Sequence, residues 1–156
     1  MKSWDEKNLR LAIETARAAR VNGNHPFGAV LADQTGNVLL QAENTAVTDN
    51  DFSGHAEINL ARMAARQFEH DYLATCTLYA STEPCPMCAG AIYWANIGRV
   101  VYALGEDKFY EMIGKTSWDV FNLPCREILS RGSRKIEVVG SIMEKEALQV
   151  HLGFWK

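Results

Sequence analysis

Residues 76–104, CTLYASTEPCPMCAGAIYWANIGRVVYAL, decide how this chain folds. The β-branched and aromatic run 76–82 reads as a strand, 86–96 as a helix opened by a proline, and 99–104 as a second strand. Strand, helix and strand joined by short links form a right-handed parallel crossover. The first link carries Glu83-Pro84-Cys85-Pro86-Met87-Cys88, two thiols three residues apart where strand gives way to helix. Cys85 falls at the helix's N-terminal boundary and Cys88 one turn later on the same side. Unpaired N–H groups and the positive end of the helix dipole lower thiol pKa values there. These six residues leave metal binding and redox exchange both open, because Cys-x-x-Cys at a strand–helix junction is also the thioredoxin-like pattern.

Working outward, Ser3 and Glu6 have the spacing of a capping box, and Leu9, Ala12, Ile13, Ala16 and Ala19 follow at helical spacing until Asn22-Gly23. Residues 28–32 and 37–43 are apolar runs joined by Asp33-Gln34-Thr35-Gly36 and predict an antiparallel hairpin. Residues 55–68 predict a second long helix. Beyond Gly105 come helical patches, then a last strand at 135–141 and a closing helix at 144–155. The segment before that strand is long enough for a helical crossover, so the last two strands are expected to be parallel. The sum is an α/β chain with a five-stranded mixed sheet covered on both faces, read as one domain over 1–156.

At 156 residues with 47% hydrophobic and 22% charged side chains, the composition is that of a globular domain. The formal charge is −3, and the one basic cluster, Arg131, Arg134 and Lys135, is short, so nucleic acid is not an expected partner. A small, near-neutral ligand fits better. No apolar run approaches a membrane span and no leader is evident at the N-terminus, so a cytoplasmic protein is expected. There Cys76, Cys85, Cys88 and Cys125 stay reduced, which disfavours a disulfide. Cys76 and Cys125 stand alone and read as small buried hydrophobes.

The residues that separate metal from redox lie upstream, in Ser53-Gly54-His55-Ala56-Glu57, with His55 where the second helix should begin. In the expected architecture both helix starts lie at the carboxyl edge of the sheet, where open α/β folds bind ligands. His55, Cys85 and Cys88 then supply three ligands and leave a fourth tetrahedral position open, the arrangement of a catalytic zinc. Glu57 would stand beside that position, and a redox protein has no need of it.

His-Ala-Glu at 55–57 together with Pro-Cys-x-x-Cys at 84–88 resembles the signature of the zinc-dependent cytidine and nucleobase deaminases. HPFGAV (25–30), Asn44, HAEINLAR (55–62), TLYASTEPCPMCAGAIYWA (77–95) and IGRVVYAL (97–104) are similar, in order and spacing, to the guanine deaminase and tRNA adenosine deaminase branch. The resemblance implies a three-layer α/β/α cytidine-deaminase-like fold, Zn2+ on His55, Cys85 and Cys88, and Glu57 carrying protons between water, ring nitrogen and departing amine. It also implies that Asn44 hydrogen-bonds the substrate edge, that Phe27 and Trp94 wall the ring, and that the backbone near Glu83 touches the reacting groups. A homodimer, with the C-terminal segment possible as an exchanged element, goes with the family.

For substrate, the acidic balance and the closing Phe154-Trp155 resemble free-base deaminases, whose aromatic C-terminal ends close over a small ligand. Those two residues are therefore substrate-wall candidates, with a plain anchor for the last helix as the alternative. Guanine is the leading base, since PFGAV and EPCPMCAGAIYWA look closest to that branch. The chain departs from it after residue 105: in MIGKTSWDVFN (112–122) Asp119 is the only acid, which keeps cytosine, isocytosine and amino-triazines in view. The other readings are a tRNA-specific adenosine deaminase, a nucleoside deaminase, and a non-catalytic zinc-stabilised module, which would not require Glu57.

Overall fold

The computed structural model describes residues 1–114 and 118–155, so Lys115 to Ser117 of the 112–122 stretch and the final Lys156 lie outside the described residues. The strands are β1 (Gly28–Ala32), β2 (Val38–Glu43), β3 (Thr77–Thr82), β4 (Arg99–Leu104) and β5 (Glu137–Val139), in the sheet order β2-β1-β3-β4-β5. β1 is antiparallel to both of its neighbours, whereas β3, β4 and β5 are parallel. This is the expected mixed sheet, with the last two strands parallel.

Alternation along the strands divides the core in two. Ala29, Leu31, Leu78, Ala80, Val100 and Tyr102 face α2 (Ala56–Gln67), α3 (His70–Leu73), α4 (Pro86–Trp94) and α6 (Cys125–Ser130). Val30, Ala32, Tyr79, Val101 and Ala103 face α1 (Asp5–Val21), α5 (Glu106–Ile113) and α7 (Glu144–Gln149). β3 and β4 are buried at every position, as central strands covered on both sides must be. Gly28 lets α1 close onto β1, because a Cβ there would lie 2.4 Å from the Ala16 backbone nitrogen. No helix among the described residues is long and apolar enough to cross a membrane.

Three details differ from the sequence reading. The Ser3 capping box does not form: Trp4 occupies the N-cap and α1 has no side-chain cap. Asp5 is fully buried instead, accepting hydrogen bonds from Arg99 Nη1 at 2.8 Å, Arg99 Nη2 at 2.7 Å and the Tyr79 hydroxyl at 2.7 Å. The closing helix stops at Gln149 rather than at residue 155. There Arg20 Nη1 takes the carbonyls of Val150 and Leu152, and Gly153 turns the chain at φ 73°. The four-residue α3 is too short to leave a periodic signal.

Burial raises the Asp5 carboxyl, but the hydrogen bonds from Arg99, the Lys2 amide and the Tyr79 hydroxyl, with the charge of Arg99, together outweigh it and hold the group at about 2. Removing one partner strands a buried charge, so Arg99→Leu is expected to lose about 3–5 kcal/mol in urea unfolding. Replacing both, as Asp5→Leu with Arg99→Met, should lose less than the single change. A double variant as unstable as Arg99→Leu would contradict this account of the pair.

Candidate active site

His55 and Cys85 occupy the N-caps of α2 and α4 in extended backbone conformations, and neither helix has a side-chain cap. The positions where Ser, Thr or Asp would ordinarily satisfy helix amides are thus given to potential ligands. Pro86 fixes the first turn of α4, which brings Cys88 round to the same side as Cys85. His55 Nδ1 lies 3.6 Å from Cys85 Sγ and 3.4 Å from Cys88 Sγ. All three ligand atoms fall within 4.8 Å of one another. With Zn–N near 2.0–2.1 Å and Zn–S near 2.3 Å, a tetrahedral ion spaces nitrogen and sulfur roughly 3.5 Å apart, so the donor set fits zinc with one position open.

The electrostatics prepare these groups for a cation. Hydrogen bonding from the Cys88 thiol, and with His55, holds the Cys85 thiol at about 4 against the opposing effect of burial. Burial pushes Cys88 up, so the two thiols share a proton that metal binding would displace. Glu57 is 5% exposed, and burial lifts its carboxyl to about 7 while nearby His55 pulls it back. A dication beside it would pull further in that direction.

His55, Glu57 and Cys85 form one end of a cavity of about 230 Å³. Its walls come from distant parts of the chain: His25 and Phe27 before β1, Thr82 and Glu83 at the end of β3, Glu106, Phe109, Tyr110 and Ile113 on α5, then Trp118, Asp119 and Trp155. The rings interlock: Trp155 meets Trp118 at 5.1 Å, Phe109 at 5.4 Å and Phe27 at 6.0 Å between centroids. The Glu83 carboxylate accepts from the Glu106 amide at 2.8 Å, joining the end of β3 to the start of α5. Burial raises the Glu106 carboxyl to about 7, although the Tyr110 hydroxyl, donating to its Oε1 at 3.0 Å, favours the charged form.

Of the residues singled out in the sequence, His55, Glu57, Cys85, Glu83, Phe27 and Trp155 line this cavity, and Cys88 is buried behind it. Phe154 is set back, its ring against His25 and Trp155 rather than in the lining. Asn44 is buried outside the lining: its Oδ1 accepts from the Ala46 amide at 3.0 Å, and its Nδ2 has no hydrogen-bond partner among the described residues. Trp94 is 80% exposed and lines nothing. It stands six residues beyond Cys88, about 240° round α4, and therefore faces away from the thiols.

His25, Thr82, Phe109, Tyr110 and His151 were not anticipated as parts of the site. His151 is buried, accepts from Trp155 Nε1 at its Nδ1 (3.1 Å), and so presents Nε2–H to Thr82 Oγ1 at 3.3 Å. It latches the C-terminal aromatics to the end of β3. Burial pushes His151 down to about 4 from an ordinary 6.5. Between these values the unfolded chain binds the extra proton, so stability falls as pH drops from 6.5 toward 4, by up to about 3 kcal/mol. The thermal midpoint of the zinc-loaded protein should therefore fall more steeply over that range than that of His151→Phe. Equal slopes would remove the latch from the account.

The family model described as the cytidine and deoxycytidylate deaminase zinc-binding region matches residues 2–104. A probable cytosine deaminase of Schizosaccharomyces pombe is 39% identical over 148 residues, 94% of this chain and 90% of that protein. A tRNA-specific adenosine deaminase of Haemophilus influenzae is 39% identical over 105 residues, covering 67% of this chain and 61% of its own length. Among solved structures, a guanine deaminase from Nitrosomonas europaea superimposes with a TM-score of 0.75 at 26% identity, over 92% of this chain and 80% of that one.

Proposed function

Because this chain belongs to the cytidine and deoxycytidylate deaminase family, we propose that its cavity removes the exocyclic amine of a free nucleobase or similarly small aminoheterocycle, replacing it with a carbonyl and releasing ammonia. The observation that carries the choice of a free base is the lining. It offers Glu57, Glu83, Glu106 and Asp119 and, among the described residues, no lysine or arginine. A polyanion would be held chiefly by such cations. At about 230 Å³ the space is also below the usual range for larger ligands.

His55, Cys85 and Cys88 would hold zinc, which would acidify a water enough to serve as the nucleophile at neutral pH. The Glu57 carboxylate would take one proton from the attacking water and pass it to a ring nitrogen as oxygen adds to the amine-bearing carbon, then take the proton of the new hydroxyl as the carbonyl forms and deliver it to the amine, which leaves as ammonia. Phe27 and Trp155 wall the ring and Phe154 backs them, while Asn44, buried outside the lining, holds the loop after β2 through its bond from the Ala46 amide. The Trp118 and Trp155 rings meet edge to face at the cavity wall, and the apolar surface they present limits the water around a bound ring.

Guanine and cytosine are the leading bases. The solved guanine deaminase shares the architecture, and the relative named for cytosine extends over 94% of this chain. Thiolate ligands suit a reducing cytoplasm. A homodimer through the α4 face, where Met87 and Trp94 are exposed, goes with this reading, and a sedimenting mass of one 17.4 kDa chain would remove it. The test of function is ammonia release by the zinc-loaded protein from guanine, cytosine, isocytosine, an amino-triazine, the matching nucleosides and a tRNA anticodon stem-loop. Turnover of a free base above its nucleoside is expected; activity on the stem-loop alone would overturn the reading.

A further inference from the structure

We propose that Glu106 selects a free base over its glycosylated forms, its Oε2 accepting a hydrogen bond from the ring N–H that a sugar would replace. The proposal rests on the deaminase reading of the cavity and adds to it the residue that sets the substrate class.

Glu106 opens α5 one strand over from the Pro-Cys-x-x-Cys segment, lines the cavity, and is 3% exposed. Three of its contacts fix where it stands. Its amide is held by the Glu83 carboxylate at 2.8 Å, its Oε1 by the Tyr110 hydroxyl at 3.0 Å, and that hydroxyl by the Phe121 amide at 3.2 Å. Oε2, by contrast, has no hydrogen-bond partner of ordinary geometry among the described residues, although the Leu123 backbone amide weakly favours the charged carboxyl.

A buried carboxyl oxygen without a donor costs about 1–3 kcal/mol, more when charged. Glu83 beside it adds like charge instead of relief. On the same wall Phe109 and Ile113 have no donor, Asp119 is another acceptor, and the Tyr110 hydroxyl is already committed to Oε1. A fold with no use for this oxygen would be served as well by an apolar side chain. The missing donor must come from whatever occupies the cavity. A free purine or pyrimidine brings a ring N–H at the nitrogen that carries the sugar in nucleosides and nucleic acids; once glycosylated, that nitrogen has no proton to give and adds bulk. One buried acceptor thereby rejects both nucleosides and nucleotides, since a polar group left unpaired discriminates more strongly than lost apolar contact.

N-methylated bases remove that N–H and add one methyl group, far smaller than a sugar, and comparison with the Glu106 variant separates the lost hydrogen bond from the added bulk. Dissociation constants for guanine against 9-methylguanine, and cytosine against 1-methylcytosine, are read from tryptophan quenching in the zinc-loaded, inactive Glu57→Gln protein, with and without Glu106→Gln. At about pH 8.5, above the Glu106 value of about 7, the carboxylate is ionised. With Glu106 present, at least one base should bind about 30-fold or more tightly than its methylated form, and Glu106→Gln should cut that ratio to about 3-fold or less. Unchanged ratios, or no binding of any base to either protein, would overturn the proposal. Glu106→Asp, which keeps the charge but withdraws it by one methylene, should give an intermediate ratio and serves if the glutamine variant misfolds. Discriminating binding without ammonia release from the wild type would retain the role of Glu106 and remove the hydrolytic reading.

Discussion

Glu57→Gln is expected to lower kcat by about 10³–10⁴-fold while leaving one zinc per chain and an unchanged thermal midpoint. The side chain is buried at the metal end of the cavity and is not among the three metal donors, so the change leaves the ligand set intact. Glutamine keeps the size and a hydrogen-bonding oxygen; what it loses is the ability to take and return a proton. A loss confined to kcat separates this role from substrate binding, which would appear in KM. Near-native turnover by the variant would remove Glu57 from the chemistry, and loss of zinc would make it part of the metal site instead.

Cys88→Ala should abolish both turnover and stable zinc binding, with occupancy falling below about one tenth per chain after dialysis against a competing chelator. Two donors cannot hold the ion as three do, and the remaining Cys85 thiol also loses the hydrogen bond from Cys88 that keeps it down at about 4. Stability should fall too: bound metal at a thousandfold excess over its dissociation constant contributes about 4 kcal/mol, which disappears with the site. Cys76→Ala is the matched comparison. Cys76 is buried among apolar side chains and burial raises its thiol, so that variant should keep its zinc and its activity. Zinc retention by Cys88→Ala would mean that the ion sits on other groups.

Both predictions concern residues that announce themselves in the sequence, and the reason is local. His55, Cys85 and Cys88 lie at helix starts marked by Pro86 and by the end of a polar loop, so backbone geometry alone aims them together. The strands that carry this arrangement, β3 and β4, are continuous apolar runs with sharp boundaries. The cavity's far wall has no such local signature. Glu106 looks like any acid in the first turn of a helix, where the dipole favours it; only its tertiary contact with Glu83 shows it to be buried. His151 stands one turn beyond the buried Ala147, but nothing local to it shows that its ring would join Thr82 to Trp155 across the fold. Trp94 shows the converse. It shares a helix with Cys88, yet a six-residue offset turns it away from the thiols, and the tryptophans that line the cavity are Trp118 and Trp155, the latter following a turn at Gly153.

Hydrolysis and free-base specificity meet in one experiment: turnover of guanine and of cytosine by the zinc-loaded protein in ¹⁸O-enriched water, with the product weighed by mass spectrometry and ammonia counted alongside. The account predicts that at least one of these bases is converted with one ammonia released and one ¹⁸O atom gained in the new carbonyl per turnover. Amine loss without ¹⁸O in the product, or neither base changed under conditions where the tRNA stem-loop is deaminated, would contradict it.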